Sequence, residues 1–374
     1  MLKLFYKNHF KALDGLRGLA ILSVLICHHI PFACGWFGLD VFFVLSGFLI
    51  TGILLDTKGS KGYFKNFYVR RSLRIFPLYF LTLLVFFHVL DAIYSISENS
   101  NFEYYFQHEI SFWFYFQNYT LVHMDWGQSH SLAHLWSLAV EEQYYVLVPL
   151  LVFLFTKKNL FYLFGFMIII ALSYRIFNVL NNGSWLKEYF ATVSRMDALA
   201  MGGCLALLVR SQWWGTIKNY GKQYKIMLVS LILYFGFWAL STDYLMPQNG
   251  IAQRTLNYTL TGIMFSLLIL LIIMKDKYIT KVFSVKLLTY FGKRSYAIYI
   301  FHMPIKYMLI PYLTTHILWL NNLSKWPTIC LSISLAIVSG EISWRLIEKP
   351  ALALKKYFKY KSGEKEDFVS SNKI

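Results

Sequence analysis

Between residues 13 and 347 the chain carries ten apolar runs, each close to the 20 or so residues that an α-helix needs to cross a bilayer. They lie at 13–31, 36–55, 75–94, 133–155, 160–178, 188–209, 226–242, 256–274, 295–318 and 327–347. In hydrocarbon every backbone amide must find its partner within the protein, which restricts runs of this length to helices. Composition agrees: 57% of the 374 residues are hydrophobic and 19% aromatic, while only 15% are charged, against about a quarter in a soluble domain. The expected fold is an all-α polytopic membrane protein, a bundle of about ten transmembrane helices with no soluble domain. The aromatic stretch ISFWFYFQNYT at 110–120 is too short to span and is expected to be re-entrant or interfacial.

A net charge of +17 would suggest nucleic acid as partner in a soluble chain. Here the basic residues cluster in the short segments between apolar runs, such as KGSKGYFKNFYVRRSLR and RSQWWGTIKNYGKQYK, and all fall on one side if ten spans alternate. From Ile75 to Thr156 there is no Lys or Arg, whereas Asp91, Glu98, Glu103, Glu109 and Asp125 lie in or beside the long connection. This asymmetry predicts an inner (plasma) membrane protein with both termini cytoplasmic and no nucleic-acid partner. The membrane domain is expected over 1–350, followed by a basic, partly disordered cytoplasmic tail over 351–374. The four cysteines, Cys27, Cys34, Cys204 and Cys330, have no metal-ligand or disulfide-framework spacing, so no metal is expected. The first apolar run has no small-residue cleavage site, which argues against a signal peptide.

Charges inside such spans are costly and need a reason. Arg17 and His28 are separated by eleven residues, about three helical turns, so they share a face roughly 16 Å apart. In HLWSLAVEEQYY, Glu141 follows His134 by two turns, and Glu142 lies about 100° further round. At most one of these carboxylates can aim at His28, and the sequence leaves open which. Arg195 and Asp197, in TVSRMDALAMGG, fall at about the same depth, so with His28 they form a set in the outer half of the bilayer. Arg71 and Arg74, at i and i+3, share a face at the cytoplasmic end of the third span. Plainer readings stand beside these. Arg70, Arg71 and Arg74 serve equally as positive-inside anchors, Arg195 as half of a structural ion pair, and His28 as a hydrogen-bonding helix end. A transporter or flippase for a lipid-linked sugar or small anion would also place charges in mid-membrane. A non-catalytic scaffold would not account for them.

The segments RGLAILSVLICH (17–28), FGLDVFFVLSGFLI (37–50), RSLR (71–74), HLWSLAVEEQYYVLVPLL (134–151), RMDALAMGG (195–203), FGKRSYAIYIFHMPI (291–305) and SWRLIEKP (343–350) occur in order along nearly the whole chain. In these the chain resembles acyltransferase family 3, membrane proteins that acylate extracytoplasmic glycans; EEQYY stands where the family commonly has EEQFY. The resemblance implies transfer of an acyl group, most often acetyl, from cytoplasmic acyl-CoA to a hydroxyl of a glycan such as O-antigen or another surface polysaccharide. It makes His28 the catalytic histidine, Arg17 a support for the donor or its thioester end, and Arg71 and Arg74 neighbours of the coenzyme phosphates. The chemistry of the residues fits. Histidine is the base best matched to neutral pH, a carboxylate from Glu141 or Glu142 would orient its ring, and arginine suits phosphates. His134, Arg195, Asp197 and Asp40 are expected on the acceptor side. Direct general-base transfer and relay through an acyl-histidine both remain open. Expected partners are acetyl-CoA as co-substrate, a glycan or lipid-linked glycan, and membrane lipid. The short tail predicts a stand-alone enzyme without a fused extracytoplasmic domain.

Overall fold

Ten long helices follow the ten apolar runs in a computed structural model that describes residues 10–30, 37–124, 129–241, 250–317, 320 and 323–360. They are α1 (Lys11–His29), α2 (Phe37–Thr57), α3 (Tyr63–Leu84, continued to Tyr94), α4 (Trp136–Leu154) and α5 (Lys157–Leu180). After them come α6 (Thr192–Leu208), α7 (Gly221–Ser241), α8 (Leu256–Ile273), α9 (Lys286–Pro304, continued to His316) and α10 (Lys325–Ser343, continued to Ala353). Eight of these segments are long and apolar enough to cross a membrane. The other two are α9, which carries four lysines and arginines, and α7, whose last turn borders residues outside the description. Among the described residues there is no strand. Cys34, Asp125 and residues 361–374 of the expected tail lie outside the described residues.

Several helices begin earlier than their apolar runs. The run at 75–94 belongs to a helix that starts at Tyr63, because the basic segment before it continues the backbone hydrogen bonding and arginine is a good helix former. The first residues of the expected tail are likewise held. Arg70 Nη1 donates to the carbonyls of Lys355 (2.9 Å) and Phe358 (3.2 Å), and Asn66 to that of Lys359 (3.1 Å). These carbonyls lie in the segment that follows α10, where the Lys355 carbonyl also accepts from the Phe358 N–H at 3.2 Å.

Two pairs of long helices approach closely enough to require glycine on both members. A Cβ on Gly18 of α1 would lie 1.9 Å from the Leu288 carbonyl oxygen, and one on Gly292 of α9 would lie 1.8 Å from that of Asp14. The pair α2 and α6 meets the same way, through Gly47 and Gly202. Small residues at such crossings let backbones pack where lipid offers no hydrophobic drive. The result fixes α1, with Arg17 and His28, against α9. Residues 103–123 form short helices tucked against α3 and the start of α4. Phe112 and Gln117 are fully buried; the Tyr79 hydroxyl donates to the Phe112 carbonyl at 2.8 Å, and Gln117 donates to that of Leu135 at 2.8 Å. Irregular backbone is tolerated in a membrane protein where protein covers it in this way.

Candidate active site

Five helices line one cavity, α9 contributing Ser295, Tyr296 and Tyr299. Arg17 comes from α1, Ser46 from α2, Arg71 and Arg74 from α3, and Glu141 with Tyr145 from α4. Glu141 accepts from Ser46 Oγ at 2.8 Å and from the Tyr145 hydroxyl at 3.0 Å. Arg17 pairs loosely with Asp14 of its own helix at 3.8 Å. Arg71 lies over the rings of Tyr145 (5.6 Å) and Phe67 (6.0 Å), and among the described residues neither it nor Arg74 has a hydrogen-bonded or ionic partner. Three guanidiniums thus face one lining carboxylate. Removing such charges from water costs several kcal/mol each unless something neutralises them, so the cavity suits an anion of more than one charge.

The other end of α1 meets a cluster of imidazoles. His28 Nδ1 lies 2.8 Å from His302 Nε2 of α9, the rings stacked with centroids 4.9 Å apart. His302 Nδ1 lies 2.6 Å from the Tyr299 carbonyl oxygen, and the His134 ring meets His302 edge-on at 5.0 Å. His134 Nε2 is 3.1 Å from the Ile300 carbonyl. Pro304 explains that contact: lacking an N–H, it cannot donate to Ile300, so the carbonyl is free for the histidine. Lys306, in the π-helical turn Ile305–Leu309, donates to the His28 carbonyl at the end of α1. His29 is anchored separately, Nδ1 to the Leu25 carbonyl (2.9 Å) and Nε2 to Ser332 Oγ (2.8 Å).

Tyr299 and Ser137 stand between the two groups. Both line the cavity, their hydroxyls lie 2.6 Å apart, and the Tyr299 hydroxyl donates to the His134 carbonyl at 2.7 Å.

The expected outer-half set separates. Glu141 joins Arg17, Arg71 and Arg74 rather than His28, and among the described residues no carboxylate touches the His28 ring. The offset along α4 explains this correction. His134 is level with the imidazoles, and seven residues of helix carry Glu141 roughly 10 Å further along, towards Arg17. Glu142 is not part of the cavity lining; it is buried, and among the described residues its Oε1 has no hydrogen-bond partner.

Arg195, Asp197 and Asp40 lie elsewhere, in a closed layer between α2, α5, α6 and α8. Arg195 pairs with Asp40, whose other oxygen accepts from Thr261 at 3.0 Å. The Arg195 guanidinium lies 4.1 Å from the Tyr258 ring centroid. Asp197 pairs with Arg175 at 2.7 Å and accepts from Thr259 at 3.0 Å. All four charged residues are at most 1% exposed.

Sequence reasoning assigned no role to His302, Tyr299, Lys306 or Arg175. His302 and Tyr299 lie in the quoted segment FGKRSYAIYIFHMPI, where a histidine two residues before a proline signals a freed carbonyl nearby. Arg175 was visible as a single arginine in the apolar run ALSYRIFNVL.

Membrane-crossing helices around a guanidinium-lined cavity and a buried histidine cluster define a polytopic integral-membrane protein. The family model described as an acyltransferase domain matches residues 10–341, and the chain belongs to that family. It is 30% identical over 398 residues to the peptidoglycan O-acetyltransferase OatA of Listeria monocytogenes, covering 99% of this chain and 60% of that protein. It is 29% identical over 373 residues to the O-acetyltransferase OatA of Staphylococcus aureus, covering 93% and 58% respectively. The chain therefore spans somewhat under two thirds of the length of these relatives. No solved structure matches it.

Proposed function

We propose that the protein transfers an acetyl group from acetyl-CoA, taken up at the arginine-lined cavity, to a hydroxyl of an extracytoplasmic surface glycan. The observation that carries this reading is the convergence of Arg17, Arg71 and Arg74 on a cavity with one carboxylate. Coenzyme A offers several phosphate charges to such a site, and arginine binds phosphate with paired, charge-assisted hydrogen bonds. In direct transfer, the acceptor oxygen attacks the thioester carbonyl, the C–O bond forms as C–S breaks, the hydroxyl proton passes to the His28 ring, and the thiolate leaves with the coenzyme. Relay through an acetylated His28 divides the same exchange into two steps.

The names of the relatives favour peptidoglycan as acceptor ahead of O-antigen. The one-sided basic segments favour both termini in the cytoplasm of a plasma-membrane protein, with the donor entering from that side. The test is the purified full chain in sealed vesicles, given labelled acetyl-CoA on one side and a peptidoglycan fragment on the other. Label appearing as an ester on the glycan supports the reading. Label that crosses unchanged, with no thiol released, replaces acyl transfer by transport.

A further inference from the structure

We infer that His302 is a positioning residue that fixes which ring nitrogen of His28 carries the proton, leaving Nε2 of His28 with a free lone pair. The inference rests on the reading of His28 as the histidine at which the acyl group is transferred.

It begins at a backbone carbonyl. His302 Nδ1 lies 2.6 Å from the Tyr299 carbonyl oxygen, and a carbonyl only accepts, so Nδ1 of His302 bears a hydrogen. A neutral imidazole has one N–H, which makes His302 Nε2 an acceptor. His28 Nδ1, 2.8 Å away, must then be the donor. The remaining nitrogen of His28, Nε2, is left unprotonated, as either a base or a nucleophile requires.

The surroundings require His302 to be neutral. It is fully buried, it stacks on His28, His134 meets it edge-on, and Lys306 already holds a positive charge at the His28 carbonyl. His29 and His130 are the other titratable groups near His28. Among the described residues no carboxylate contacts the rings of His28, His134 or His302, so a second cation there would be uncompensated. A triad carboxylate both orients its histidine and stabilises the imidazolium; an imidazole in that seat orients without supplying charge. The seat itself is rigid, because Tyr299 is tied through its hydroxyl to Ser137 and the His134 carbonyl.

The experiment uses the full chain in lipid nanodiscs with histidine labelled by 15N, the His28 signals being assigned by their loss in His28→Ala. The wild type is expected to show a protonated Nδ1 and a bare Nε2 on His28. His302→Phe should move the proton to Nε2 or mix the two forms. His302→Gln, whose amide oxygen reaches the place of an imidazole Nε2, should keep it on Nδ1. In the transfer assay, His302→Phe should lower kcat about a hundredfold, within the usual span for a general base, at unchanged KM for acetyl-CoA. His302→Gln should recover most of the rate. A wild-type spectrum with hydrogen on His28 Nε2 overturns the inference, and so does an unchanged His28 tautomer in a folded His302→Phe variant. If His302→Phe does not fold, the wild-type spectrum alone decides. Absence of acetyl transfer by the wild type would sink the functional reading while leaving the tautomer to be read independently.

Discussion

Two groups of arginines lie inside the same bundle, and they differ in what their guanidiniums meet. In the layer between α2, α5, α6 and α8, Arg195 and Arg175 each face an aspartate, with Thr261 and Thr259 completing the aspartates' bonds. Around the cavity, Arg17, Arg71 and Arg74 face a single lining carboxylate, Arg17 pairs loosely with Asp14, and Arg71 and Arg74 lack a hydrogen-bonded partner among the described residues. A closed pair holds helices together; an open set of like charges leaves its guanidiniums without counterparts of equal number, the arrangement on which the proposed donor site rests. The lesson is that a charge within a membrane segment gains its meaning from its neighbours rather than from its presence.

The comparison breaks most visibly in the closed layer. Arg195→Leu alone leaves Asp40 buried and uncompensated, a loss of about 3–5 kcal/mol, and should collapse the yield of folded protein on size exclusion. Replacing both partners, Asp40→Leu with Arg195→Met, should restore most of that yield, because apolar groups of similar volume often match a buried pair. Transfer by the folded double variant should persist. Its loss would return Arg195 and Asp40 to the acceptor side.

The adjacent histidines of α1 sharpen the contrast. His28→Ala should lower transfer by about 10²–10⁴, with a fall in melting temperature no larger than the loss of its one hydrogen bond to His302 explains. His29→Ala removes two hydrogen bonds worth about 0.5–1.5 kcal/mol each, and should lower the melting temperature while transfer continues. Reversed outcomes would exchange their roles.

Smaller effects are expected at the arginines of α3. Arg71→Lys and Arg74→Lys keep the charge but lose the planar fork, so each should raise KM for acetyl-CoA several-fold, less than alanine does, at constant kcat. Arg70→Ala should leave KM unchanged. The bonds to the Lys355 and Phe358 carbonyls, about 0.5–1.5 kcal/mol each, are lost with it, and a thermal melt should detect the loss.

Much of this was legible in the sequence, for identifiable reasons. An apolar run of about 20 residues has few other fates in a bilayer, so the ten helices could be placed. The three-turn spacing of Arg17 and His28 puts them at opposite ends of one continuous α1. The shared face of Arg71 and Arg74 likewise follows from i and i+3. What could not be read was the relative height of different helices. Depth estimated from the start of the fourth span put Glu141 and Glu142 level with His28 and left open which could face it, whereas the contact of His134 with His302 sets the height and carries Glu141 to the arginines. The partner of Arg195 is 155 residues away in sequence, and no local pattern announces such a pair. His302 was hidden for the same reason, since its contact with His28 spans 274 residues.

The central claim is that the open arginines form the site for a phosphorylated donor. Equilibrium binding of coenzyme A to the full chain in nanodiscs tests it most directly, comparing wild type with Arg71→Ala/Arg74→Ala, each sample also being melted. Charge-assisted hydrogen bonds are worth about 1.5–3 kcal/mol, so the double variant should bind at least about a hundredfold more weakly, with its melting temperature unchanged. Wild-type affinity in the double variant, with a lowered melting temperature, would contradict the claim and make Arg71 and Arg74 structural anchors.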